Sequence, residues 1–489
     1  LIESGNLGQK TGQGVYRKRG KALEVYDIAL SDYRPINTLI PDEIKAIFKL
    51  KTPSEQFAAL SASDIPEADL IRSCFRDLFH YAAFHLETIA DSADAVDSAL
   101  KWGFGWQQGP FETWQAFGLD AVREWIEQDI SSDLSMASVT LPAWKFANKS
   151  SDLPVYQRQL MPPKKTNQTA VLFENEGVCL SHLKDDVAIL SFKTKSNTIS
   201  QLVLDGLNQA IELAEQKTQG IIIYQDNPIN FCSGADLSAV AGFLETHQIA
   251  ALASMVHDFQ RTLMRLKYSA VPVVSALRGR ALGGGCELLM QSDAVVAAFE
   301  SYPGLVEAGV GLIPAGGGSK ELALRAANLT VGQDMMPRLY PYFEQAAMGM
   351  VASSAPDAIK RGFMREKDVC VMHADEVLFA ALHQIKAMHA AYYTPPIPAR
   401  FKVAGREGAA QLKAALVNFE EGRFISQHDA FLASQLADVM CGGDVDSGTE
   451  VDEAWILRLE HAAFMRLAET PETQARIRHM LETGKPLRN

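Results

Sequence analysis

One stretch of the chain, residues 273–288, constrains the fold more than any other. It reads VVSALRGRALGGGCEL, an apolar β-branched run followed by three glycines, Gly283 to Gly285, and then by Cys286 and Glu287. Glycine tolerates positive φ and close backbone approach, so the pattern predicts a strand end, a tight turn and the first turn of a helix. Free N–H groups at a helix start attract developing negative charge, and a carboxylate there can act as a general acid or base. The first hypothesis is therefore a catalytic site at this turn.

Length and charge restrict the class of protein further. The chain has 489 residues, which exceeds one ordinary domain, so two or three domains are expected. Its net charge of −13 argues against a nucleic-acid or membrane-surface footprint, which needs clustered Lys and Arg. No apolar run approaches the roughly 18 residues of a membrane span. Six widely spaced cysteines without a CxxC pair disfavour a zinc site or a disulfide framework. With no signal peptide at the first residues, these features predict a cytoplasmic protein.

The residues after Val171 alternate between short apolar runs and a helical pattern. The segments VCLSHL, VAILSF and GIIIYQD have the length and composition of strands, and QLVLDGLNQAIELAEQ between the last two has helical periodicity. Strand, helix and strand in this order indicate βαβ units with crossover helices. We therefore predict an α/β domain, followed by helices from about residue 371.

A second loop with candidate chemistry is NFCSGADL, residues 230–237. Its Ser-Gly-Ala-Asp sequence follows a predicted strand and can direct a backbone N–H group into a cleft. Ser233 does not lie in the GxSxG elbow of a serine nucleophile. Asp236 is predicted to cap the helix that follows.

A second candidate carboxylate, Glu307, precedes the turn IPAGGG. It lies twenty residues after Glu287, too far to share a helix face, so the two carboxylates can meet only across secondary-structure elements. Taken singly, each glutamate is more often a solvated surface residue than a catalytic one. Spacing alone leaves both interpretations open.

The first 130 residues are predicted to be helical. The chain begins as if in mid-helix before a Gly-rich turn, and residues 68–89 place apolar side chains at helical spacing. The expected buried stripe of this helix is Leu70, Ile71, Cys74, Leu78, Tyr81 and Ala82. His80 and His85 on the same helix lack an acidic partner at a convincing spacing, so we interpret them as packing or surface residues.

Glycines at positions 103, 105 and 109 superficially resemble a dinucleotide-binding fingerprint. A genuine fingerprint follows a strand and opens a helix, whereas these glycines lie between two predicted helices. We predict instead a tight turn between helices, packed by Trp102, Phe104 and Trp106.

Three motifs in order, NFCSGADL, RGRALGGGCEL and VEAGVGLIPAGGGS, resemble the crotonase superfamily and in particular the enoyl-CoA hydratases. The resemblance implies an α/β crotonase domain, a ClpP/crotonase-like ββα spiral, over residues 171–370. It implies an oxyanion hole formed by the N–H groups of Ala235 and Gly284, and a catalytic pair formed by Glu287 and Glu307.

The same resemblance makes Ser233, Gly234 and Asp236 candidates for a CoA-binding loop. The implied substrate is an acyl-CoA thioester, with no metal and no cofactor beyond the CoA that the substrate carries. Syn addition of water to a 2-enoyl thioester needs a base for the water and an acid for C2, and two neighbouring carboxyls can differ in protonation to supply both.

The N-terminal part resembles 3-hydroxyacyl-CoA dehydrogenases. LGQKTGQGVYRK is similar to the end of their C-terminal all-α domain, and VDSALKWGFGWQQGPFETWQAFG is similar to a second copy of it. The implied layout is the end of one helical domain, a second helical domain, a linker, the crotonase core and a helical extension, over residues 1–30, 31–130, 131–170, 171–370 and 371–489. The dehydrogenase's NAD-binding domain is expected upstream of Leu1.

These resemblances predict the C-terminal portion of a bifunctional β-oxidation protein that hydrates 2-trans-enoyl-CoA. NAD is expected only with the dehydrogenase part, and the expected partners are that part and a thiolase or further copies of the chain. The helical extension is expected to pack over the active site or against the dehydrogenase part. Two alternatives stay open: an isomerase or thioester hydrolase on the same fold, and a non-catalytic acyl-CoA-binding scaffold. The paired glutamates favour hydration, because a scaffold has no chemical use for both.

Overall fold

The computed structural model describes most of the chain, namely residues 2–20, 22–36, 40–90, 92–131, 170–183, 186–330 and 332–489. The chain divides into two units, Leu1–Pro163 and Lys164–Asn489. The predicted linker, residues 131–170, lies almost entirely outside the described residues. The domain boundaries therefore stay predictions.

The first unit begins with a three-stranded antiparallel sheet. Its strands are β1 (Tyr16–Arg19), β2 (Ala22–Asp27) and β3 (Asp32–Pro35). The predicted helix at the start of the chain is therefore wrong, because among the described residues before β1 only Gln9–Thr11 are helical, in a short 3-10 helix. Glycines interrupt the segment, and cross-strand pairs stabilise the sheet, including an Arg17–Glu24 ion pair at 2.6 Å.

In the described part of the first unit, six helices follow the sheet: α1 (Asp42–Ile47), α2 (Pro53–Ala62), α3 (Pro66–Ile89), α4 (Ala93–Phe104), α5 (Pro110–Phe117) and α6 (Leu119–Ser131). The long helix predicted over residues 68–89 is confirmed as α3. Its buried face differs from the predicted stripe, because Leu70 and Tyr81 are about 60% exposed (64% and 60%) while Phe79 is fully buried. Aromatic packing against α5 turns that face inward, since Phe79 stacks on Trp114. His80 is also buried, which agrees with a packing role.

The segment with three glycines is confirmed as a turn between α4 and α5. Gly105 ends α4 with a φ of +69°, and α5 starts at Pro110. The predicted aromatic packing is wrong, because Trp102, Phe104 and Trp106 are 40–71% exposed. The turn is held instead by Asp97, whose carboxylate accepts the N–H groups of α5 and leaves no room for a Cβ on Gly109.

The second unit is built on an eight-stranded mixed sheet in the order β11-β10-β9-β7-β6-β5-β4, with β8 beside β9. The strands are β4 (Val171–Glu174), β5 (Val178–His182), β6 (Val187–Phe192), β7 (Gly220–Tyr224), β8 (Asn230–Cys232), β9 (Val273–Leu282), β10 (Ala294–Gly304) and β11 (Val369–Val371). Strands β4, β5 and β6 pair antiparallel, and the sheet is parallel from β6 to β11. The predicted α/β domain with crossover helices is confirmed.

The helices of this unit are α7 (Gln201–Lys217), α8 (Leu237–Glu245), α9 (Ile249–Lys267), α10 (Gly284–Gln291), α11 (Gly318–Leu329), α12 (Met336–Ala347), α13 (Ala355–Lys360), α14 (Val377–Ala390), α15 (Gly405–Glu421), α16 (Gln427–Met440), α17 (Glu453–Ala468) and α18 (Pro471–Thr483). The extension is mainly helical, as predicted, with one two-stranded antiparallel sheet of β12 (Arg400–Lys402) and β13 (Glu450–Asp452).

Two packing features place the site. First, β8 runs parallel to the end of β9, with Cys232 opposite Ala281, so the loops that follow the two strands are neighbours. Second, α17 packs on α9 and α11, and α18 packs on α8 and on the 3-10 helix Glu307–Val310. The extension therefore contacts the elements that carry the candidate site residues. Within the described part of the chain, no helix is long and apolar enough to cross a membrane.

Candidate active site

The glycine triplet joins β9 to α10 in the predicted manner. Gly283 has a φ of +52° and precedes the first helical residue, Gly284. A Cβ on Gly284 would lie 2.7 Å from the Phe259 ring, and one on Gly285 would lie 2.6 Å from the Cys232 Cβ. A side chain at Gly285 would push α10 away from the end of β8, and one at Gly284 would displace the Phe259 ring on α9. The close approach therefore favours glycine.

The N–H groups of Ala235 and Gly284 lie close together, where the loop after β8 approaches the loop after β9. A Cβ built on Gly284 lies 3.3 Å from the Ala235 nitrogen, and one built on Gly234 lies 3.3 Å from the Gly284 nitrogen. Among the described residues, neither N–H group donates to a backbone acceptor. Both residues line the same cavity. The arrangement offers two adjacent donors to one oxygen atom.

The carboxyl group of Glu287 is buried and anchored. Its Oε1 accepts the N–H groups of Gly316 at 2.7 Å and Gly318 at 2.9 Å, at the start of α11. Burial raises the pKa of Glu287 to about 7, and the two N–H donors and the nearby Lys320 oppose this rise. Glu287 is therefore the better placed of the two glutamates to carry negative charge.

The carboxyl group of Glu307 has a different environment. Glu307 begins the 3-10 helix Glu307–Val310. Both of its carboxyl oxygens are buried, and neither has a hydrogen-bond partner in the described part of the chain. Burial, followed by repulsion from Glu287, raises the pKa of Glu307 well above its ordinary value of 4.5. The pair thus favours one proton, held by Glu307, with Glu287 as the anion.

All seven predicted site residues line a single cavity of about 870 Å³. These are Ser233, Gly234, Ala235, Asp236, Gly284, Glu287 and Glu307. The volume lies in the upper part of the range typical of small-molecule sites, and most of the lining side chains are apolar. The structure therefore brings together residues that the sequence spreads over 75 positions.

Two of the predicted side chains also have structural roles. The Ser233 hydroxyl donates to the Ser196 carbonyl at 3.0 Å, and the Asp236 carboxylate accepts the Ser238 N–H at 3.0 Å. The predicted helix cap by Asp236 is confirmed. Any contact that this loop makes with CoA would therefore involve its backbone more than these two side chains.

Sequence reasoning missed several residues of the site. It placed the turn IPAGGG after Glu307, without recognising that the N–H groups of this turn bind Glu287. It also missed Phe259 on α9, together with Phe464, Met480 and Arg488 of the extension, which line the cavity. Another missed residue is Glu460 on α17, a fully buried carboxyl bound to the same turn. No local pattern links positions so far apart in the chain.

Residues 183–401 match the family model described as enoyl-CoA hydratase/isomerase. This part of the chain has the α/β crotonase fold and is similar to that family. The matched range includes every predicted site residue. Because the description names a hydratase and an isomerase of enoyl-CoA, the match supports a crotonase-type enzyme.

Curated relatives extend over the whole chain. It is 34% identical over its full length to the "Probable 3-hydroxyacyl-CoA dehydrogenase" of Bacillus subtilis, of which it covers 63%. It is 24% identical over 99% of its length to the "Putative fatty acid oxidation complex trifunctional enzyme" of Rickettsia felis, of which it covers 62%. The chain thus spans less than two thirds of the length of these relatives.

Other similar proteins match only part of the chain. The mitochondrial methylglutaconyl-CoA hydratase of Mus musculus is 29% identical over 39% of this chain and 62% of its own length. Among solved structures, enoyl-CoA hydratase from Bacillus halodurans is 16% identical with a TM-score of 0.42, over 62% of this chain and 98% of that one.

Proposed function

We propose that the chain catalyses syn addition of water to 2-trans-enoyl-CoA, forming 3-hydroxyacyl-CoA, as a step of fatty-acid β-oxidation. One observation carries this proposal: two buried carboxyls with unequal hydrogen bonding share an apolar cavity with two N–H groups that donate to no backbone acceptor among the described residues. The names of the full-length relatives support the metabolic setting.

The first requirement of the reaction is stabilisation of an enolate. The thioester carbonyl oxygen would lie between the N–H groups of Ala235 and Gly284. As water adds at C3, negative charge develops on this oxygen and strengthens both hydrogen bonds. One preorganised donor of this kind contributes about 3 kcal/mol to the transition state. Gly284 is the first residue of α10, so its N–H group adds the favourable end of the helix dipole.

The second requirement is a base and an acid on the same face of the double bond. Glu287, held as an anion by two N–H groups, accepts a proton from the water whose oxygen bonds to C3. Glu307, favoured in its protonated form, donates its proton to C2. The pair holds one proton before the reaction and one after it. Transfer of that proton between the carboxyls restores the starting state.

An isomerase on the same fold is the second candidate. Moving a double bond between C2–C3 and C3–C4 requires one group that removes and returns a proton, without addition of water. The cavity holds two buried carboxyls with different hydrogen bonding, one more than isomerisation needs. The second carboxyl favours hydration, which needs both a base and an acid. The family description includes both reactions.

We also propose that the chain belongs to a longer bifunctional protein, in which an NAD-dependent dehydrogenase oxidises the 3-hydroxyacyl-CoA product. The length and name of the Bacillus subtilis relative support this proposal. A thiolase that cleaves the resulting 3-ketoacyl-CoA is the expected partner, and the cytoplasm is the expected compartment.

The proposed reaction is tested with crotonyl-CoA, whose conjugated thioester absorbance falls on hydration. We expect the chain to cause this fall, and expect Glu287→Gln and Glu307→Gln each to lower kcat at least about 100-fold, the range for loss of general acid–base catalysis. The exposed Glu176 provides the matched control, Glu176→Gln, which should keep full activity. Full activity in either cavity variant would refute the proposed mechanism.

A further inference from the structure

A third buried carboxyl lies beside the candidate catalytic pair. Glu460 on α17 has no exposed surface. Its Oε2 accepts the N–H of Gly317 at 2.9 Å, and its Oε1 accepts the N–H of Lys320 at 2.6 Å. Both donors belong to the turn that opens α11. A fully buried carboxyl group loses the hydration that a serine or aspartate helix cap at the surface keeps. For Glu460, these two backbone N–H groups take the place of water.

This turn also holds Glu287. Its N–H groups alternate between the two carboxyls: Gly316 and Gly318 donate to Glu287, while Gly317 and Lys320 donate to Glu460. Successive peptide planes share Cα atoms, so the direction of one N–H group restricts that of the next. The bonds to Glu460 therefore help to fix the direction of the bonds to Glu287.

Further contacts join α17 to this turn. The Gln260 side chain donates to the carbonyls of both Ala315 and Leu457, at 2.8 and 2.9 Å. The buried Lys320 ammonium donates to Glu453 at 2.7 Å, and Glu453 lies at the start of α17. One face of α17 thus contacts the turn at several points. Among these contacts, those of Glu460 use N–H groups that alternate along the chain with the N–H groups bound to Glu287.

We propose that Glu460 is a positioning residue for hydration, which holds the turn 316–320 so that two N–H groups stay directed at Glu287. This inference rests on the proposed function of Glu287 as the base. Glu460 itself does not line the cavity among the described residues, so its effect on the reaction passes through the turn.

The test compares three variants of the full chain. Glu460→Ala removes both acceptors, and Glu460→Gln keeps one acceptor oxygen. Trp455→Phe is the matched control on the same helix, because it removes one hydrogen bond from Trp455 to the Gly442 carbonyl, away from the turn. The readouts are kcat and KM with crotonyl-CoA, together with amide hydrogen exchange of the peptide that contains residues 315–321.

We expect Glu460→Ala to lower kcat about 10- to 100-fold, the effect of a small misplacement of a catalytic group. KM should change less than about twofold, and amide exchange at residues 316–320 should accelerate. Glu460→Gln should lie between Glu460→Ala and the unmodified chain, and Trp455→Phe should leave the rate and this exchange unchanged. If Glu460→Ala fails to fold, Glu460→Gln carries the same two measurements.

The proposal is overturned if kcat of Glu460→Ala stays within about threefold of the unmodified chain. It is also overturned if amide exchange at residues 316–320 is unchanged, because a loss of rate alone would then reflect the changed charge at position 460 and not a displaced turn. Equal losses in Trp455→Phe would show a general effect of α17 on stability. An unmodified chain that does not hydrate crotonyl-CoA refutes the proposed function, while the exchange data still test the contact itself.

Discussion

Replacing Glu287 with glutamine should make the protein more stable at high pH while abolishing its activity. The structure gives the reason. Both N–H donors, from Gly316 and Gly318, bind the same oxygen, Oε1, so a glutamine with its carbonyl oxygen in that place keeps both bonds. The substitution removes the buried negative charge with little change in shape.

The magnitude follows from the pKa of Glu287. Burial raises that pKa from 4.5 to about 7 in the folded protein. At about 1.4 kcal/mol per pH unit, ionising the carboxyl costs the folded state roughly 3 kcal/mol. The native protein is free of this cost below pH 4.5, begins to incur it as the pH rises through that value, and incurs it fully above about pH 7. Glu287→Gln removes it at every pH.

The assay is chemical denaturation of the unmodified chain and of Glu287→Gln at pH 5 and pH 8. Unfolding is followed by a spectroscopic signal from the second unit. We expect Glu287→Gln to raise the free energy of unfolding by less than about 1 kcal/mol at pH 5 and by about 3 kcal/mol at pH 8. The exposed Glu176→Gln should change neither value by more than about 0.5 kcal/mol. A loss of stability at pH 8, or an equal change at both pH values, would refute this account of the buried carboxyl.

Two further predictions concern other contacts of the site. Gly284→Ala places a Cβ 2.7 Å from the Phe259 ring and 3.3 Å from the Ala235 nitrogen, so the rate of hydration should fall about 100-fold. Gly242→Ala, which places a Cβ in open space on α8, is the control and should keep full activity. Equal hydration rates for these two variants would exclude Gly284 from the oxyanion hole. Arg476→Ala removes a fully buried guanidinium that donates to Asp429 and to the carbonyl next to Glu307, so chemical denaturation should show a loss of about 3 kcal/mol. Arg478→Ala, on the exposed side of the same helix, is its control, and a loss for Arg476→Ala no larger than that of this control would contradict the structural role.

The sequence was sufficient to predict the α/β domain, and the resemblance of its three motifs to the crotonase superfamily indicated the residues that line one cavity. The glycine triplet marks a place where only glycine fits, and the alternation of apolar strands and helices predicts parallel strands whose loops meet at one edge. Loops following β8 and β9 do meet there, which brings Ala235 to Gly284. These features are local in sequence or follow from general rules of topology.

Other features depend on contacts that no local pattern reveals. The sheet at residues 16–35 is stabilised by residue pairs across short strands. A Gly-rich segment with few apolar residues gives no sequence pattern that predicts these pairs. The buried face of α3 depends on aromatic partners from α5. Glu460 meets the turn of α11 from 140 residues away, and a buried glutamate on an amphipathic helix looks like a solvated one in the sequence.

The unequal environments of the two glutamates were also beyond the sequence. It predicts that Glu287 and Glu307 are a pair, but the roles depend on which carboxyl receives N–H donors. Glu287 receives two from a turn 29 to 31 residues away, and Glu307 receives none in the described part of the chain. In the proposed mechanism, this difference makes Glu287 the base and Glu307 the acid.

The central claim is that water adds across the double bond, with both glutamates on one face. The most direct test is incubation of crotonyl-CoA with the chain in D₂O and analysis of the product by NMR. We expect 3-hydroxybutyryl-CoA that carries one deuterium at C2, added on the same face as the C3 hydroxyl. An unchanged thioester, a product with a shifted double bond and no added oxygen, or deuterium on the opposite face would contradict the claim.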